Sequence, residues 1–213
     1  MGAPDSAELI STILFDADGV MQRTAPGWED ELTGLLSDQS QAAGERFLLA
    51  IQRAERTTMD GGIEIRDALG PVLVDFEVAA DVDDVLELWT RIEANATMIE
   101  AVQDLRSRQV RCYLASNQSR RRAGWMRANL GYDELFEEQF YSCELGLAKP
   151  DPAYFTTIIE RLGLDPAATL FVDDTAPNID GARSVGLNAD LFRRGGGRLA
   201  LEEILDGYSI RGG

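Results

Sequence analysis

The sequence predicts an α/β protein, in which a doubly wound, parallel, Rossmann-like sheet is interrupted by an inserted all-helical domain. Short apolar runs of the kind found in buried strands alternate with segments in which apolar residues recur every three or four positions. This alternation is typical of crossover helices packed on a parallel sheet. A stretch of about 70 residues with helical periodicity separates the first strand from the second, which is too much chain for one crossover.

Five apolar runs are predicted as strands, at residues 10–15, 110–115, 139–142, 170–172 and 187–192. Helical periodicity predicts crossover helices at residues 100–108, 119–130, 152–162 and 176–185, and a last helix at 199–205. Because connections between parallel strands are short and right-handed, this order of elements predicts a doubly wound fold.

The stretch between the first two strands has little strand character. Helices are predicted to break at Gly61-Gly62 and at Gly70-Pro71, which gives several short helices in an antiparallel bundle. We therefore predict a Rossmann-like core made of residues 1–21 and 96–213, and a helical domain made of residues 22–95.

Composition and charge exclude several classes of partner. The chain has 213 residues, 45% of them hydrophobic, and a formal net charge of −17, which repels both nucleic acid and anionic membranes. It has no apolar stretch of about 20 residues and no signal-peptide pattern, so we expect a cytoplasmic protein. Its two cysteines, Cys112 and Cys143, lie in or beside apolar runs, which predicts packed, reduced thiols.

Two absences restrict the chemistry. The chain has no histidine, so acid and base catalysis must come from carboxylates. All but one of its 20 basic residues are arginine, and the exception is Lys149. A lysine is a compact point charge, which a tight site holding carboxylates and a phosphoryl group accepts where it would reject a planar guanidinium.

Polar side chains end several of the predicted strands. Asp16 and Asp18 end the first strand, and they project to the same side because they are two residues apart in extended chain. The second strand ends in Ser116-Asn117, a later one ends in Asp173-Asp174, and Lys149 follows another in a loop. Ligands of doubly wound sheets bind beyond the carboxyl ends of the strands. The cluster therefore suits a divalent cation held together with a phosphoryl group, although each pair alone could serve as a helix cap.

In this arrangement the chain resembles the haloacid dehalogenase (HAD) superfamily of hydrolases. The matching motifs are Asp16-Ala17-Asp18-Gly19-Val20, Ser116-Asn117, Lys149-Pro150-Asp151-Pro152 with Phe155, and Phe171-Val172-Asp173-Asp174 with Asn178 and Gly181-Ala182. They occur in the family's order over nearly the whole chain. The helical insert is similar to the family's mobile, all-helical (C1-type) cap, and the other part of the chain to its catalytic core.

The resemblance implies a phosphatase-like hydrolase with Asp16 as nucleophile and Asp18 as general acid and base. Ser116, Asn117 and Lys149 would bind the phosphoryl group, and Ser116 and Lys149 would also take part in catalysis. Magnesium would be held by Asp16, by the backbone carbonyl of Asp18 and by Asp174. Asp173 and Asn178 would support that site, Asn178 standing where many relatives carry a second acid. The implied substrate is a small phosphorylated metabolite.

Residue choice separates some activities of this family. Asp18 argues against a dehalogenase, because halide leaves without a proton and dehalogenating relatives lack this acid. The predicted cap contains no lysine, which excludes the Schiff-base chemistry of phosphonate-cleaving relatives. A phosphomutase keeps both aspartates and a helical cap, so this alternative to hydrolysis stays open.

Two other classes are disfavoured. A phosphorylated signalling receiver also gathers aspartates, a hydroxyl and a lysine, but receivers place the acidic pair on the first strand and lack an insert of this kind. A binding protein without activity is disfavoured because every expected catalytic side chain is present.

Substrate selection is expected from the helical insert, but its residues give a weak signal. Apolar residues at helical spacing are usually bundle core, and arginines on such helices are usually solvated. We apply the first rule to Met21, Trp28 and Trp89, and the second to Arg53, Arg56 and Arg66. The run Arg120–Arg122 is predicted to be a solvated helix face, and Gly195–Gly197 a plain connection without chemistry.

Overall fold

The computed structural model describes residues 9–211, so the predicted core residues 1–8 and 212–213 lie outside the described part. The strands are β1 (Leu9–Ile10), β2 (Thr12–Phe15), β3 (Gln22–Thr24), β4 (Ile92–Ala94), β5 (Arg111–Ser116), β6 (Gln139–Tyr141), β7 (Thr169–Asp173), β8 (Asn188–Leu191) and β9 (Ser209–Ile210). The helices are α1 (Trp28–Thr33), α2 (Gln41–Arg56), α3 (Ile65–Asp75), α4 (Val82–Leu88), α5 (Ala96–Ser107), α6 (Arg120–Asn129), α7 (Tyr132–Leu135), α8 (Ser142–Leu145), α9 (Pro152–Leu162), α10 (Ala176–Ser184) and α11 (Gly197–Leu205), with a 3-10 turn at Pro166–Ala168.

Five parallel strands form the central sheet in the order β6-β5-β2-β7-β8, which confirms the predicted fold class. The chain builds one half of the sheet outward from β2, then returns to build the other half from β7. The strand order therefore reverses beside β2, where ligands of such sheets bind. Phe15, the last residue of β2, pairs with Leu114 on one side and Val172 on the other, so Asp16 emerges between two strands.

Alternation along the strands divides the core between the two faces of the sheet. Ile13, Phe15 and Leu114 pack in one hydrophobic cluster, whereas Leu14 and Tyr113 pack in the other. Both faces are covered, as expected for parallel strands that are apolar throughout.

Helix limits follow local signals where those signals are strong. Asp151 accepts a hydrogen bond from Ala153 N, Pro152 occupies the first turn of α9, and Gly163 ends the helix in a left-handed conformation. The predicted helix at 152–162 is therefore observed with the same limits. The predicted strand at 10–15 is instead divided between β1, which pairs with β9, and β2.

The insert, residues 22–95, contains helices α1 to α4 around its own hydrophobic cluster, which includes Phe47, Leu69 and Val85. Its two ends pair as the antiparallel strands β3 and β4, with Gln22 opposite Ala94, and sequence analysis missed both strands. The predicted break at Gly61-Gly62 lies between α2 and α3, but the break at Gly70-Pro71 was wrong. Pro71 lies inside α3 on its exposed face. The helix tolerates it because burial of Leu69 and Leu73 on the opposite face offsets the hydrogen bond that a proline cannot donate.

Two expectations about other residues can be compared with the fold. Cys112 and Cys143 are free and buried, as predicted. Within residues 9–211, no helix is both long enough and apolar enough to cross a membrane.

Candidate active site

The chain turns sharply after β2, and this turn places two carboxylates at the edge of the sheet. Asp16 donates its backbone N–H to Val172 O (2.9 Å), so it is still held between β2 and β7. Gly19 has a positive φ of 89°, which lets the chain turn back so that Met21 N–H bonds Ala17 O (2.8 Å). We call residues 16–21 the Asp loop. Asp16 is buried, whereas the side chain of Asp18 is 40% exposed.

Lys149 lies at the centre of the buried charges. Its Nζ donates to Asp16 Oδ1 (2.7 Å), Asp173 Oδ2 (2.7 Å) and Ala115 O (2.8 Å), which uses all three ammonium protons. Its side chain is 1% exposed. A buried ammonium with two carboxylate partners keeps its charge, and those partners raise its pKa against the effect of burial. The only lysine of the chain therefore joins Asp16 of the first motif and Asp173 of the fourth to Ala115, the residue before the second motif.

The pKa of Asp16 is strongly perturbed. Burial raises it to about 7, the charge and hydrogen bond of Lys149 oppose that rise, and the neighbouring charge of Asp173 adds to it. A carboxylate buried beside a second carboxylate is costly, so this position has the features of a functional group rather than of a structural one.

Asp173 is fully committed to protein partners. Its Oδ1 accepts from Thr175 N (2.8 Å), and its Oδ2 accepts from Asn178 Nδ2 (2.9 Å) as well as from Lys149. It therefore orients the lysine, and Asn178 orients it in turn. Asn178 was expected to support this loop, and its side chain lies there.

Three carboxylates could hold a metal ion. One oxygen each from Asp16, Asp173 and Asp174 lie within 4.8 Å of one another. Carboxylate oxygens suit magnesium, so the donor set fits the ion that the sequence predicts. Both oxygens of Asp173 and both oxygens of Asp174 already accept hydrogen bonds, so these bonds do not decide between the two, and the choice of Asp174 stays a prediction.

Asp174 has a partner that the sequence did not reveal. Its side chain is 3% exposed, and its Oδ2 accepts from Arg194 Nε (2.6 Å), in the loop after β8. A Cβ atom at Gly19 would overlap the Asp174 carboxylate, so the approach of the Asp loop to β7 requires a glycine there.

Three side chains hold the carboxylate of Asp18. Gln118 Nε2 donates to its Oδ2 (2.7 Å), while Arg122 Nη2 (2.6 Å) and Gln22 Nε2 (3.1 Å) donate to its Oδ1. Arg122 is buried, so the prediction that Arg120–Arg122 form one solvated face was wrong for this residue. Consecutive residues of α6 point in directions about 100° apart. Arg122 therefore faces the sheet edge, whereas Arg121 faces solvent.

Ser116 and Asn117 lie where the second strand was predicted to deliver them. Ser116 Oγ accepts from Gln118 Nε2 (3.1 Å) and is buried at the end of β5. Asn117 donates to Lys149 O (2.8 Å) and accepts from Lys149 N (2.9 Å). Asn117 thus fixes the backbone of Lys149, and a direct contact of its side chain with substrate stays a prediction.

A cavity of about 1050 Å³ opens between the Asp loop, the insert and the loop after β8. Its lining includes Asp18, Gln118 and Arg122 from the core, and Trp28, Gln52, Glu55 and Trp89 from the insert. Burial raises the pKa of Glu55. The charge of Arg122 opposes that rise and the charge of Asp18 adds to it, so the three groups interact electrostatically.

Comparison with known proteins shows the family of the chain. The model of the haloacid dehalogenase-like hydrolases matches residues 10–186. The chain belongs to this family. Among the relatives of this HAD-like hydrolase is a phosphorylated carbohydrates phosphatase of Thermotoga maritima, 20% identical over 84% of this chain and 82% of its own length. A phosphatase of Mycobacterium tuberculosis is 27% identical over 88% of this chain and 89% of its own length.

A solved structure also resembles the HAD-like hydrolase described above. It is a mutant HAD family enzyme of Bacteroides thetaiotaomicron in complex with magnesium and inorganic phosphate. The two share 19% identity with a TM-score of 0.75, over 91% of this chain and 98% of that one. At this identity the likeness shows the fold.

The structure brings together all the residues predicted for the site, from Asp16 to Asp174, at one edge of the sheet. Sequence analysis missed Gln22, Gln118, Arg122 and Arg194. Two positions gave a signal, because Gln118 directly follows the Ser116-Asn117 motif and Gln22 lies two residues after the Asp16–Val20 motif. The others contact the site through a helix rotation and a loop path that motif spacing does not encode.

Proposed function

We propose that this HAD-like hydrolase is a magnesium-dependent phosphatase that cleaves a small phosphate monoester through an aspartyl phosphate on Asp16. One observation carries the proposal. Asp16 lies against the buried Lys149, and a second carboxylate, Asp18, projects from the same loop into the adjoining cavity. The phosphatases of Thermotoga maritima and Mycobacterium tuberculosis support it as relatives.

In the first step, Asp16 attacks phosphorus, an aspartyl phosphate forms and the bond to the leaving alkoxide breaks. Lys149 offsets the charge that accumulates between the carboxylate and the phosphoryl oxygens. Asp18 donates a proton to the departing alkoxide. The hydroxyl of Ser116 donates a hydrogen bond to the phosphoryl group.

In the second step, Asp18 takes a proton from the water that hydrolyses the aspartyl phosphate, which releases phosphate and restores Asp16. Gln118, Arg122 and Gln22 keep Asp18 facing the cavity during both proton transfers. The bound magnesium, held by Asp16, Asp174 and the backbone carbonyl of Asp18, would neutralise charge on the phosphoryl group. Asp173 and Asn178 keep Lys149 and the fourth motif in place.

The insert is proposed to act as the cap, residues 22–95, over a core of residues 1–21 and 96–213. Its helices supply one wall of the cavity, so a substrate bound there is enclosed between insert and core. Enclosure favours a small phosphorylated metabolite over a protein or a nucleic acid.

The test is phosphate release from p-nitrophenyl phosphate and from a panel of sugar and nucleotide phosphates. Wild type is compared with Asp16→Asn, and with Asp180→Asn as a control for an exposed carboxylate of α10, each with magnesium and with EDTA. We expect activity only in wild type and the control, and only with magnesium. Full activity of Asp16→Asn would refute the assignment of the nucleophile.

A phosphomutase would behave differently in the same experiment. It would trap phosphate on Asp16, detectable as a mass increase of the Asp16 peptide, and pass it to a second hydroxyl with little release. Release of phosphate that keeps pace with substrate loss would support hydrolysis.

A further inference from the structure

The cationic side chains that line the cavity are already paired. Arg23 contacts Glu93 (2.7 Å), Arg122 contacts Asp18 (2.6 Å) and Arg194 contacts Asp174 (2.6 Å). Two acids of the same lining, Glu29 and Glu55, form no ion pair with any residue of the described range 9–211. Among the described residues that line the cavity, no cationic side chain is therefore free to bind a second anion.

Glu55 is held so that it can bind a ligand. Its Oε1 accepts from Trp89 Nε1 (2.8 Å), which leaves Oε2 able to accept another hydrogen bond. Trp89 packs edge to face on Trp28, with ring centroids 6.1 Å apart, and both line the cavity. The carboxylate is thus held by Trp89, which is buried and packs against the partly buried Trp28.

A second polar side chain extends this wall. Gln52 lies one turn before Glu55 on α2, and both line the cavity because residues three apart share a helix face. An amide and a carboxylate next to an aromatic surface can bind several hydroxyl groups of one ligand.

We propose that the leaving group is polyhydroxylated and carries no negative charge of its own, and that Glu55, positioned by Trp89, determines this specificity. The proposal rests on the proposed function, since it concerns the alcohol released by that reaction. A leaving group with its own carboxylate meets Glu29 and Glu55, whereas hydroxyl groups hydrogen-bond to Glu55 and Gln52.

A matched pair of substrates tests the proposal. Glycerol 3-phosphate and 3-phosphoglycerate differ in that a hydroxymethyl group of one is a carboxylate in the other. The measurement is kcat/KM with magnesium for wild type, for Glu55→Gln and for the control Glu45→Gln. Glu45 lies on the same helix outside the cavity lining, where it pairs with Gln41.

We expect wild type to prefer glycerol 3-phosphate by about tenfold over 3-phosphoglycerate. Glu55→Gln keeps the shape of the side chain and removes its charge, so the ratio to 3-phosphoglycerate should fall towards one. Glu45→Gln should keep the wild-type ratio. Equal rates on the matched pair, or an unchanged ratio in Glu55→Gln, would overturn the proposal.

A separate readout distinguishes failure of this proposal from failure of the proposed function. Turnover of p-nitrophenyl phosphate without discrimination would overturn the specificity alone. If no phosphate ester is cleaved, the proposed function fails. Binding of the same pair to the double variant Asp16→Asn, Trp125→Phe, in which only Trp28 and Trp89 give tryptophan fluorescence, then decides the specificity. Tighter binding of glycerol 3-phosphate supports it, and equal binding overturns it.

Discussion

Lys149 shows how much of this site depends on the shape of one cation. Its ammonium fits among Asp16 Oδ1, Asp173 Oδ2 and Ala115 O at 2.7–2.8 Å, inside a buried pocket. We predict that Lys149→Arg loses activity by about 100-fold or more, although the charge is kept, because a planar guanidinium cannot take the same three positions. Phosphate release measures the effect, and Arg121→Lys, at an exposed position, is the control. Near-normal activity of Lys149→Arg would show that charge alone is sufficient.

The raised pKa of Asp16 predicts that the free energy of unfolding depends on pH. In an unfolded chain an aspartate titrates near pH 4, whereas in the fold the pKa of Asp16 is about 7. Between these values the folded state binds more protons, so the free energy of unfolding of wild type falls as pH rises. The asparagine side chain of the Asp16→Asn variant stays uncharged throughout this range.

We therefore predict that Asp16→Asn is more stable than wild type by on the order of 2 kcal/mol at about pH 8 in EDTA, and by little at about pH 4. Urea unfolding at several pH values measures the difference. Asp180→Asn, at an exposed carboxylate, should show no such trend. A difference that stays constant with pH would contradict the perturbed pKa.

At the scale of elements, α10 must approach the Lys149 loop closely. A Cβ atom at Gly181 would overlap Pro150 O and crowd Phe155, so a glycine is required where this helix crosses the loop. Asp173, at the end of β7, hydrogen-bonds Lys149, and Asn178, in α10, hydrogen-bonds Asp173. A displaced α10 therefore disturbs the charges of the site.

We predict that Gly181→Ala destabilises the protein by about 2 kcal/mol and lowers activity at the same time. Gly124→Ala is the matched control, because a Cβ atom at this exposed position of α6 meets no atom within 4 Å. That change should stabilise the protein by up to about 1 kcal/mol, through helix propensity. Thermal unfolding and phosphate release give both results, and a stable, active Gly181→Ala would refute the close approach.

Elements of this kind could be predicted from the sequence when their signals were local. The polar residues that end β2, β5 and β7 predicted the edge at which Asp16, Ser116 and Asp173 lie. Contacts set by rotation could not be predicted. Arg120, Arg121 and Arg122 are consecutive and identical, yet one contacts the insert, one faces solvent and one holds Asp18. Each residue of a helix turns the side chain by about 100°, so only the packing of α6 assigns these positions.

At the scale of the whole molecule, side-chain contacts join the insert to the core beyond its two ends. One of them is Arg120, whose Nε and Nη2 donate to Gly61 O (3.2 and 3.1 Å) in the turn between α2 and α3. Gly61 itself lies against Cys143 O, where a side chain would not fit. The turn is thus seated on two core helices, which closes one side of the cavity.

We predict that Arg120→Ala loosens this contact without unfolding either part. Amide hydrogen exchange of residues 57–64 should become about tenfold faster, because two hydrogen bonds to the turn are lost. The KM for an enclosed substrate should rise more than kcat falls. Arg121→Ala, one residue along and exposed, should change neither quantity. Unchanged exchange in Arg120→Ala would show that other contacts hold the turn.

The burial of the only lysine has a practical consequence for chemistry applied from outside. The folded molecule presents no lysine ε-amine at its surface, because Lys149 is enclosed by carboxylates at the sheet edge. Acylating and crosslinking reagents that seek this group reach it only when the sheet edge opens. The rate at which the Lys149 peptide is modified would therefore measure how often the site opens. The arginines at the surface would not react with these reagents.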